Sequence, residues 1–356
     1  MTDGAGMLPD ERLAAYSAVS TSLALRSDRE LGELVDSAAP LGSGIGGRSA
    51  LLEVGGTPVF VKRVPVTEVE LRPEHVRSTA NVFGLPVFCQ YGVDGPGFGA
   101  WREAAVHTMT TNWVLSGQYQ GFPLTYHSRV LPDPAPALPE ELADVDRVVA
   151  KWGGAPEVRR RIEAIGKSPA SLVLFLEYIP QTLHEWLTEQ VRTGDEAVGR
   201  ACALVEKELE AGTSFMNARG LLHFDAHFQN ILTDGRRLYF ADYGLSLSSS
   251  FDLTPAEVDF YERHRTYDRA YTLSYLVNWL ITDLYGYERT ERMAAIRACA
   301  EGVGPSVGPP EATSALARHA PLAAVVTDFY LKLQNGSRET AYPLAAIHQI
   351  FESRDN

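Results

Sequence analysis

Apolar and polar positions alternate most clearly in two stretches near the start of the chain. "ALLEV" and "PVFVKRV" stand on either side of a Gly-Gly pair, a pattern that predicts a β-hairpin. Residues 1–40 instead show helical spacing, and Ser27 followed by Glu30 forms a capping box at the start of one helix. The pattern therefore predicts a helical N-terminal extension that leads into a small sheet.

The stretch "AWREAAVHTMTTNWVL" has the spacing of an amphipathic helix. The apolar stripe of this helix is expected to contain Trp101, Ala105, Thr108, Met109 and Trp113. "FPLTYHSRVL", which comes next, indicates a strand, whereas the segment from Thr67 to Gly99 shows no clear pattern. The first part of the chain is thus predicted to be rich in strands, with one helix among them.

Residues 132–167 begin with the proline-rich "PDPAPALP" and are predicted to form a helical insertion. Within it, "VRRRIEAI" is expected to present a solvated helix face, with anion binding as the alternative. After the insertion, "SLVLFLEYIP" predicts a buried strand, and most of the remaining chain has helical spacing. This order predicts an α+β protein with a small antiparallel sheet lobe at residues 41–179 and a mainly helical lobe at residues 180–356.

The composition is that of a globular protein, with 45% hydrophobic and 22% charged residues among 356. A net charge of −13 would repel phosphate backbones, so nucleic acid is not an expected partner. The longest apolar runs are too short for a membrane span, no signal peptide is apparent, and the three cysteines have no ligand-like spacing. These features predict a cytoplasmic protein without a membrane partner.

The stretch "HFDAHFQN" places polar residues between two apolar runs, although an unpartnered buried polar group costs about 1–3 kcal/mol. A loop at the edge of a pocket accounts for this pattern. Asn230, and Asp242 after the next predicted strand, supply the oxygen ligands that Mg²⁺ prefers. Asp225 is then a spare carboxylate that can orient or deprotonate an attacking hydroxyl.

"HFDAHFQNIL" resembles the HxDxHxxN loop of the aminoglycoside phosphotransferase and choline-kinase families, which are relatives of protein kinases, and "ADYG" resembles the DFG element that follows it. The resemblance extends roughly from Leu41 to Leu253. It implies a bilobal protein-kinase-like fold whose cleft binds ATP and Mg²⁺. It also implies that Asp225 is catalytic, that Asn230 and Asp242 hold the metal, and that His223 braces the loop.

The same resemblance implies a glycine-rich turn before a strand that carries a lysine. "GSGIGG" provides Gly42, Gly44 and Gly47, whose backbone N–H groups would close over the phosphates. Lys62, within "VFVKRV", would supply a point charge to the α- and β-phosphates. We therefore expect these four residues to bind the nucleotide.

A kinase-like lysine requires an acidic partner on a helix. Glu103 in "AWREAAVHTM" is the expected partner. Glu68, Glu70 and Glu74 are nearer to Lys62 in sequence, but they lie in the segment without a helical pattern.

The buried strand "LVLFLEYIP" is expected to run into a hinge. By position, Leu176 would face the back of the nucleotide pocket. Backbone groups of Glu177 and Ile179 would form hydrogen bonds with adenine. An ordinary buried strand that ends at Pro180 is the alternative.

Several features bear on the acceptor of the phosphoryl group. His227 stands beside Asp225 where protein kinases usually have a lysine and small-molecule phosphotransferases have histidine, and Tyr243 replaces the usual Phe. Only "TPAE" follows at the place of an APE element, which indicates a short activation segment. "CQYGVDGPGFGAWREAAVHTMTTNWVL" resembles a group of actinobacterial kinase-like proteins of undefined substrate. A hydroxylated small molecule is therefore favoured as the acceptor.

Three alternatives stay open at this point. The acceptor could be a Ser or Thr of a peptide, such as a natural-product precursor whose phosphate is later eliminated. The chain could instead be a nucleotide-binding scaffold for a partner enzyme, although the lysine, the catalytic Asp and the metal-binding Asp are all present. Transfer of AMP by the same fold is the third alternative.

Overall fold

A computed structural model describes residues 9–92, 95–134, 137–305 and 307–355 of the chain. The beginning of the predicted extension, residues 1–8, and two residues of the proline-rich linker, Ala135 and Pro136, lie outside these ranges. The protein belongs to the α+β class. It divides into two compact units, Met1–Ile179 with Ala241–Val258, and Pro180–Phe240 with Asp259–Asn356. The Ala241–Val258 segment thus groups with the sheet, whereas the sequence assigns it to the helical lobe.

A five-stranded antiparallel sheet forms the centre of the first unit. Its strands are β1 (Ala39–Gly44), β2 (Gly47–Val54), β3 (Thr57–Val66), β4 (Thr125–Pro132) and β5 (Ala170–Glu177), in the spatial order β1-β2-β3-β5-β4. The predicted hairpin is confirmed, and its two turn residues, Gly55 and Gly56, both have positive φ, as a type I′ turn requires. β5 is buried along its whole length, and Leu174 of β5 pairs with Lys62 of β3.

The helices of the first unit come before the sheet strands or between them in the sequence. They are α1 (Pro9–Ala24), α2 (Asp28–Asp36), α3 (Ala100–Leu115), α4 (Glu140–Ala143), α5 (Val145–Lys151) and α6 (Pro156–Ile165). The capping box at α2 is confirmed, since Ser27 and Glu30 bond to each other's backbone N–H groups. A 3₁₀ turn at Val87–Tyr91 and a short strand at Leu247–Ser248 complete this unit.

Two apolar clusters lie in the core of the first unit. One joins the sheet to α3, and its buried members include Val64, Val66, Trp101, Leu172 and Leu174. The other joins the segment before α3 to the insertion, and its buried members include Phe83, Leu85, Phe98, Leu142, Trp152 and Ile162. Ile45, at the turn between β1 and β2, packs against the second cluster. The insertion is therefore part of the core of this unit.

The predicted apolar stripe of α3 is wrong, and the predicted solvated face of α6 holds for only part of its arginines. Of the five residues in the predicted stripe of α3, only Trp101 is buried, and the inward face instead carries Glu103, His107 and Thr110. In α6, Arg160 is 64% exposed, as a solvated face predicts, whereas Arg161 is 3% exposed. In both helices polar side chains with partners occupy buried positions, and a pattern of apolar residues cannot identify such a face.

The second unit is built mainly from helices. They are α7 (Leu183–Thr193), α8 (Asp195–Ala218), α9 (Pro255–Arg263), which starts in the last residues of the first unit, α10 (Tyr267–Trp279), α11 (Arg292–Ala300), α12 (Pro310–Asn335) and α13 (Leu344–Asp355), with a π-helical turn at Leu280–Leu284. Short strands lie at β6 (Gln181–Thr182), β7 (Leu221–Leu222), β8 (Ile231–Thr233) and β9 (Leu238–Phe240), and β6, β8 and β9 form one antiparallel sheet.

Helix α8 positions the loop between β7 and β8. At Gly212 of α8 an added Cβ would lie 2.1 Å from the ring of Phe240, so only glycine allows β9 to approach this helix so closely. β9 pairs with β8, which directly follows the "HFDAHFQN" loop. None of the helices in the described ranges is both long and apolar enough to cross a lipid bilayer.

Candidate active site

Lys62, Glu103 and Asp242 form one charged cluster in the first unit. The Nζ atom of Lys62 lies 2.8 Å from Oε1 of Glu103 and 2.8 Å from Oδ1 of Asp242. The Lys62 and Glu103 side chains are 9% and 2% exposed, whereas that of Asp242 is 39% exposed. The structure therefore brings Lys62 together with the glutamate that the sequence predicts as its partner, and with the predicted metal ligand.

The cluster keeps Lys62 protonated. Burial alone would lower the pKa of Lys62, but the charges of Asp242 and Glu103 and their hydrogen bonds outweigh burial and raise that pKa above its usual value. Lys62 is therefore a permanent cation at neutral pH. It lies between a carboxylate inside the protein and one that faces solvent.

The backbone at the two predicted motifs is in an uncommon conformation. Asp242 has a φ of 61° and Phe224, between His223 and Asp225, has a φ of 64°. Left-handed φ values in residues other than glycine cost on the order of 1–3 kcal/mol and are concentrated at functional sites. The strain at both positions therefore supports a functional role for the two motifs.

The turn between β1 and β2 lies directly over Lys62. A Cβ at Gly46 would be 3.3 Å from Nζ of Lys62 and 3.6 Å from Oδ2 of Asp242. At Gly44 a Cβ would have no neighbour within 4 Å. The sequence identified the glycines of the GxGxxG spacing, but the residue that makes the close approach is Gly46, which that spacing skips.

Gly47 must be glycine because of its backbone conformation and its close contact with β3. Its φ is 117°, and an added Cβ would lie 2.1 Å from the carbonyl oxygen of Arg63. This glycine is needed for the pairing of β2 with β3, whatever the turn binds. Gly42 makes no such approach, since its Cβ would meet only the Ser49 hydroxyl, at 3.8 Å.

Tyr243, which follows Asp242, is buried against α3. Its ring packs edge-on against His107 at 4.8 Å between centroids, and its hydroxyl forms a hydrogen bond with Thr110. Burial, opposed by that hydrogen bond, raises the pKa of Tyr243. The hydroxyl that distinguishes Tyr243 from phenylalanine therefore attaches the Asp242 segment to the helix that carries Glu103.

The end of strand β5 is attached to the N-terminal extension. The guanidinium of Arg12 in α1 donates two hydrogen bonds to the Glu177 carboxylate, at 2.8 and 2.7 Å, and both side chains are buried. The N–H of Glu177 donates to the carbonyl of Leu124 at 2.8 Å. An adenine contact at Glu177 would therefore use its carbonyl oxygen, while Ile179 is half-buried at the end of this unit. Sequence analysis did not identify the role of Arg12, which belongs to no motif.

The "HFDAHFQN" loop in the second unit is held by a buried carboxylate. Asp268 of α10 accepts the N–H of His223 at 2.6 Å and the N–H of Phe224 at 2.9 Å. Burial raises the pKa of Asp268 to about 6, against the opposing effect of these two hydrogen bonds. His223 is fully buried, and its Nδ1 accepts the N–H of Asp225 at 3.3 Å. Sequence analysis found His223 but not Asp268, which belongs to no motif.

Asp225 is oriented by two neighbours in the same loop. Nδ2 of Asn230 donates to the Asp225 carboxylate at 2.9 Å and to its carbonyl oxygen at 3.1 Å. Nε2 of His227 lies 3.8 Å from the other carboxylate oxygen. The side chain of Asp225 is 33% exposed. This carboxylate is thus fixed in direction and still reaches solvent.

A row of tyrosines from α10 stands beside this loop. The ring centroid of Tyr275 lies 4.9 Å from that of Phe228 and 6.2 Å from that of His227. Tyr271 lies one helical turn before Tyr275, and its ring centroid is 6.2 Å from that of Tyr275. Burial, and among other charges that of Asp225, raises the pKa of both tyrosines. Half-buried aromatic rings therefore lie close to the carboxylate that the sequence predicts to be catalytic.

The two predicted metal ligands offer oxygen donors of the kind that Mg²⁺ prefers. In the described residues no three His, Cys, Asp or Glu side chains are arranged to hold a metal. In the second unit, Asn230 uses its amide nitrogen on Asp225, so its oxygen would be the ligating atom. In the first unit, Asp242 presents a partly exposed carboxylate. Mg²⁺ commonly takes one or two protein oxygens and completes its shell with water and phosphate oxygens, and each residue, taken within its own unit, is a donor that suits such an ion.

The sequence matches no protein-family model, and it matches no curated protein at a significant level.

Proposed function

We propose that this chain is an ATP- and Mg²⁺-dependent phosphotransferase with a protein-kinase-like fold, which transfers a γ-phosphoryl group to an acceptor hydroxyl. The observation that carries the proposal is Lys62, bonded at 2.8 Å to both Glu103 and Asp242 beneath a glycine turn. A buried ion pair adds little net stability compared with apolar residues of the same volume. A preorganised cation beneath backbone N–H groups is well suited to hold phosphate.

On the phosphate side, each residue has one task. ATP bound with Mg²⁺ would supply the phosphoryl group and neutralise its charge. Lys62 would contact the phosphate oxygens, and Glu103 would keep Lys62 in place. Asn230 and Asp242 would hold the metal through their side-chain oxygens. Catalysis by such groups consists largely of positioning and charge stabilisation.

On the acceptor side, Asp225 would receive the proton of the attacking hydroxyl. The acceptor oxygen forms a bond with the γ-phosphorus while the bond to the β-phosphate oxygen breaks, and ADP leaves. Asn230 keeps the Asp225 carboxylate directed at the acceptor. His223 and Asp268 fix the backbone on which Asp225 stands.

A hydroxylated small molecule is the favoured acceptor. His227 beside Asp225, and the half-buried rings of Tyr271 and Tyr275, give the surroundings of Asp225 aromatic walls. Such walls suit a compact ligand, because they bury apolar area around a few polar contacts. A peptide acceptor would instead need an extended groove.

The test of the function is ATP consumption with Mg²⁺ against hydroxylated small molecules and Ser- or Thr-containing peptides, with products identified by mass spectrometry. Phosphorylation of one class would support the proposal and identify the acceptor type. Nucleotide binding without any modified product would favour a scaffold for a partner enzyme. Addition of AMP in place of phosphate would contradict phosphoryl transfer.

Gly46→Ala should raise the KM for MgATP about tenfold, equivalent to about 1.4 kcal/mol of binding free energy. The added methyl group would occupy the space over Lys62 and Asp242 that phosphates need. Because its nearest contact is the flexible end of Lys62, the fold should be preserved. Steady-state kinetics and thermal unfolding measure the two effects.

The matched control is Gly44→Ala, in the same turn, where an added Cβ meets nothing within 4 Å. This variant should keep a near-normal KM. Equal effects of the two substitutions would mean that the turn does not close over the nucleotide at Gly46.

Asp268→Asn should lower kcat about 10- to 100-fold at pH 7.5, the range expected when a catalytic group is displaced by about 1 Å. The two N–H groups bond to different oxygens of the Asp268 carboxylate, and in asparagine one of these oxygens is replaced by an NH2 group, which donates and cannot accept. One of these N–H groups would lose its partner, and the backbone beside Asp225 would shift. A pH series of kcat for both proteins measures the effect.

The pH series has a definite sign, because the pKa of Asp268 is raised to about 6. Below this pH the wild-type carboxyl is protonated and resembles the amide, so the ratio of wild-type to variant kcat should fall towards one. The free energy of unfolding of the wild type, compared with that of the variant, should instead rise as the pH falls. A raised folded-state pKa means that the native protein gains stability relative to the variant as the pH falls from about 6 to about 4. A ratio of kcat that does not vary with pH would contradict this role.

A further inference from the structure

The position of helix α3 decides whether Glu103 can reach Lys62, and two buried Arg–Glu pairs fix the start of this helix. One pair is Glu70 with Arg161, and the other is Arg102 with Glu257. Each pair joins α3, or the segment just before it, to a residue far away in the sequence. The role of the two pairs concerns the nucleotide site, so it rests on the proposed function.

Glu70 caps α3 from outside the helix. Its Oε1 accepts the N–H of Ala100, the first residue of α3, at 3.0 Å. Its own backbone carbonyl accepts the indole N–H of Trp101 at 2.9 Å. Gly99 occupies the N-cap position and has no side chain to serve as a cap. A Cβ at Gly99 would lie 2.4 Å from Oε1 of Glu70, so glycine is required for this carboxylate to reach the helix.

Arg161 comes from helix α6 of the insertion and holds the other oxygen of Glu70. Its NH1 donates to Oε2 of Glu70 at 2.7 Å, and the same oxygen accepts the N–H and hydroxyl of Thr67. The guanidinium lies over the ring of Phe83, 4.9 Å from its centroid. Burial would raise the pKa of Glu70, but the charge of Arg161 and these hydrogen bonds lower it. The Glu70 carboxylate is therefore ionised, and its negative charge stabilises the positive end of the helix dipole at the start of α3.

The second pair holds the same turn of α3 from another side. Arg102 donates to Oε1 of Glu257 at 2.6 Å and to the carbonyl of Thr79 at 2.8 Å. Its guanidinium lies 4.9 Å from the centroid of the Phe98 ring and 5.5 Å from that of the Phe251 ring. Arg102 directly precedes Glu103, so the residue next to the Lys62 partner is fixed.

We propose that the insertion is a positioning element for the nucleotide site, which acts through the Arg161–Glu70 pair. It caps α3 and thereby fixes Glu103 at the distance at which it bonds Lys62. The protein would then hold this helix in its working position with its own chain, without an activating partner or a phosphorylation. Arg161 and Glu70 touch neither nucleotide nor acceptor, and their effect passes through α3.

The test uses the full-length chain with MgATP and the acceptor found in the assay of the proposed function. Arg161→Met should raise the KM for MgATP about tenfold and leave the KM for the acceptor unchanged. Arg161→Lys, which keeps the charge, should recover part of the loss. The matched control is Arg160→Met on the same helix, since Arg160 is 64% exposed and pairs with neighbouring Glu157 at the surface. This control should behave as wild type.

A purely structural role gives a different result. Loss of folded protein lowers the maximal rate but leaves both KM values unchanged, and that pattern would overturn the proposal. Should Arg161→Met fail to fold, Arg161→Met with Glu70→Gln removes both charges and keeps an oxygen to accept the Ala100 N–H. A wild-type KM for MgATP in this folded double variant would also overturn the proposal.

Failure of the proposed function is distinguishable from failure of this inference. Calorimetric titration of the wild-type protein with MgATP is the first measurement. No binding by the wild type would overturn both proposals together. Binding and turnover by the wild type, with equal kinetics for Arg161→Met and Arg160→Met, would leave the phosphotransferase in place and overturn only the role of the insertion.

Discussion

Asp225→Asn should lower kcat by about 10²–10⁴-fold, the usual contribution of a general base. The amide cannot accept the proton of the acceptor hydroxyl, but it has nearly the same shape as the carboxylate. Its oxygen can still accept the hydrogen bond from Asn230, so the geometry of the loop should be kept. Because the Asp225 side chain is 33% exposed, the change in the free energy of unfolding should stay within about 1 kcal/mol.

The KM for MgATP separates this result from a general loss of function. Asp225 is not assigned to the phosphates, so the variant should bind MgATP as the wild type does. Asp259→Asn is a suitable control, since Asp259 is 71% exposed in the same unit and pairs with Arg263 at the surface of the same helix. Full activity in a folded Asp225→Asn protein would exclude Asp225 as the base.

The charged cluster was predictable because its residues belong to short motifs with fixed chemistry. Lys62 lies in an alternating strand and Glu103 in a helical pattern, and the structure places their charged atoms 2.8 Å apart. Local spacing was enough to identify the hairpin, α3 and β5, since each depends on residues adjacent in sequence. These features needed no knowledge of which segments pack together.

Features that depend on distant segments and belong to no sequence motif were not predictable. Asp268 lies 45 residues after His223, and Arg161 lies 91 residues after Glu70. Each is an ordinary charged residue on a helix until the fold buries it beside its partner. The same reason explains why the stripe of α3 was wrong, because buried partners make polar positions such as Glu103 and His107 part of the inward face.

The two additions to the sheet, the N-terminal helices and the insertion, have comparable roles. Arg12 of α1 holds Glu177 at the end of β5, and Arg161 of α6 holds Glu70 at the start of α3. In both cases a buried arginine forms a charge-assisted pair with a glutamate. Glu177 is itself a predicted nucleotide-binding residue, and Glu70 caps the helix that carries another, Glu103. Removing one partner of such a pair is costly, because the other charge stays buried.

Lys62→Met should both destabilise the protein and remove its activity. The substitution leaves the Glu103 carboxylate, 2% exposed, without its cation, and breaking a buried pair in this way costs about 3–5 kcal/mol. Asp242 also loses a partner but remains in contact with solvent, since it is 39% exposed. Loss of one preorganised group that stabilises the transition state should lower kcat/KM about 10²–10³-fold. Chemical denaturation and steady-state kinetics measure the two effects.

Lys62→Met combined with Glu103→Met separates stability from activity. It removes both buried charges, and apolar replacement of a buried pair is often neutral or stabilising. The double variant should therefore regain most of the stability that Lys62→Met loses. Its activity should stay as low as that of the single variant, because methionine cannot bind phosphate.

The outcome of this cycle distinguishes two reasons for burying a lysine. If the pair serves only the fold, the double variant should recover activity along with stability. If the lysine serves the phosphates, stability returns and activity does not. The second outcome is the expected one, because the cation lies beneath Gly46 and beside a carboxylate that faces solvent, where a ligand can reach it.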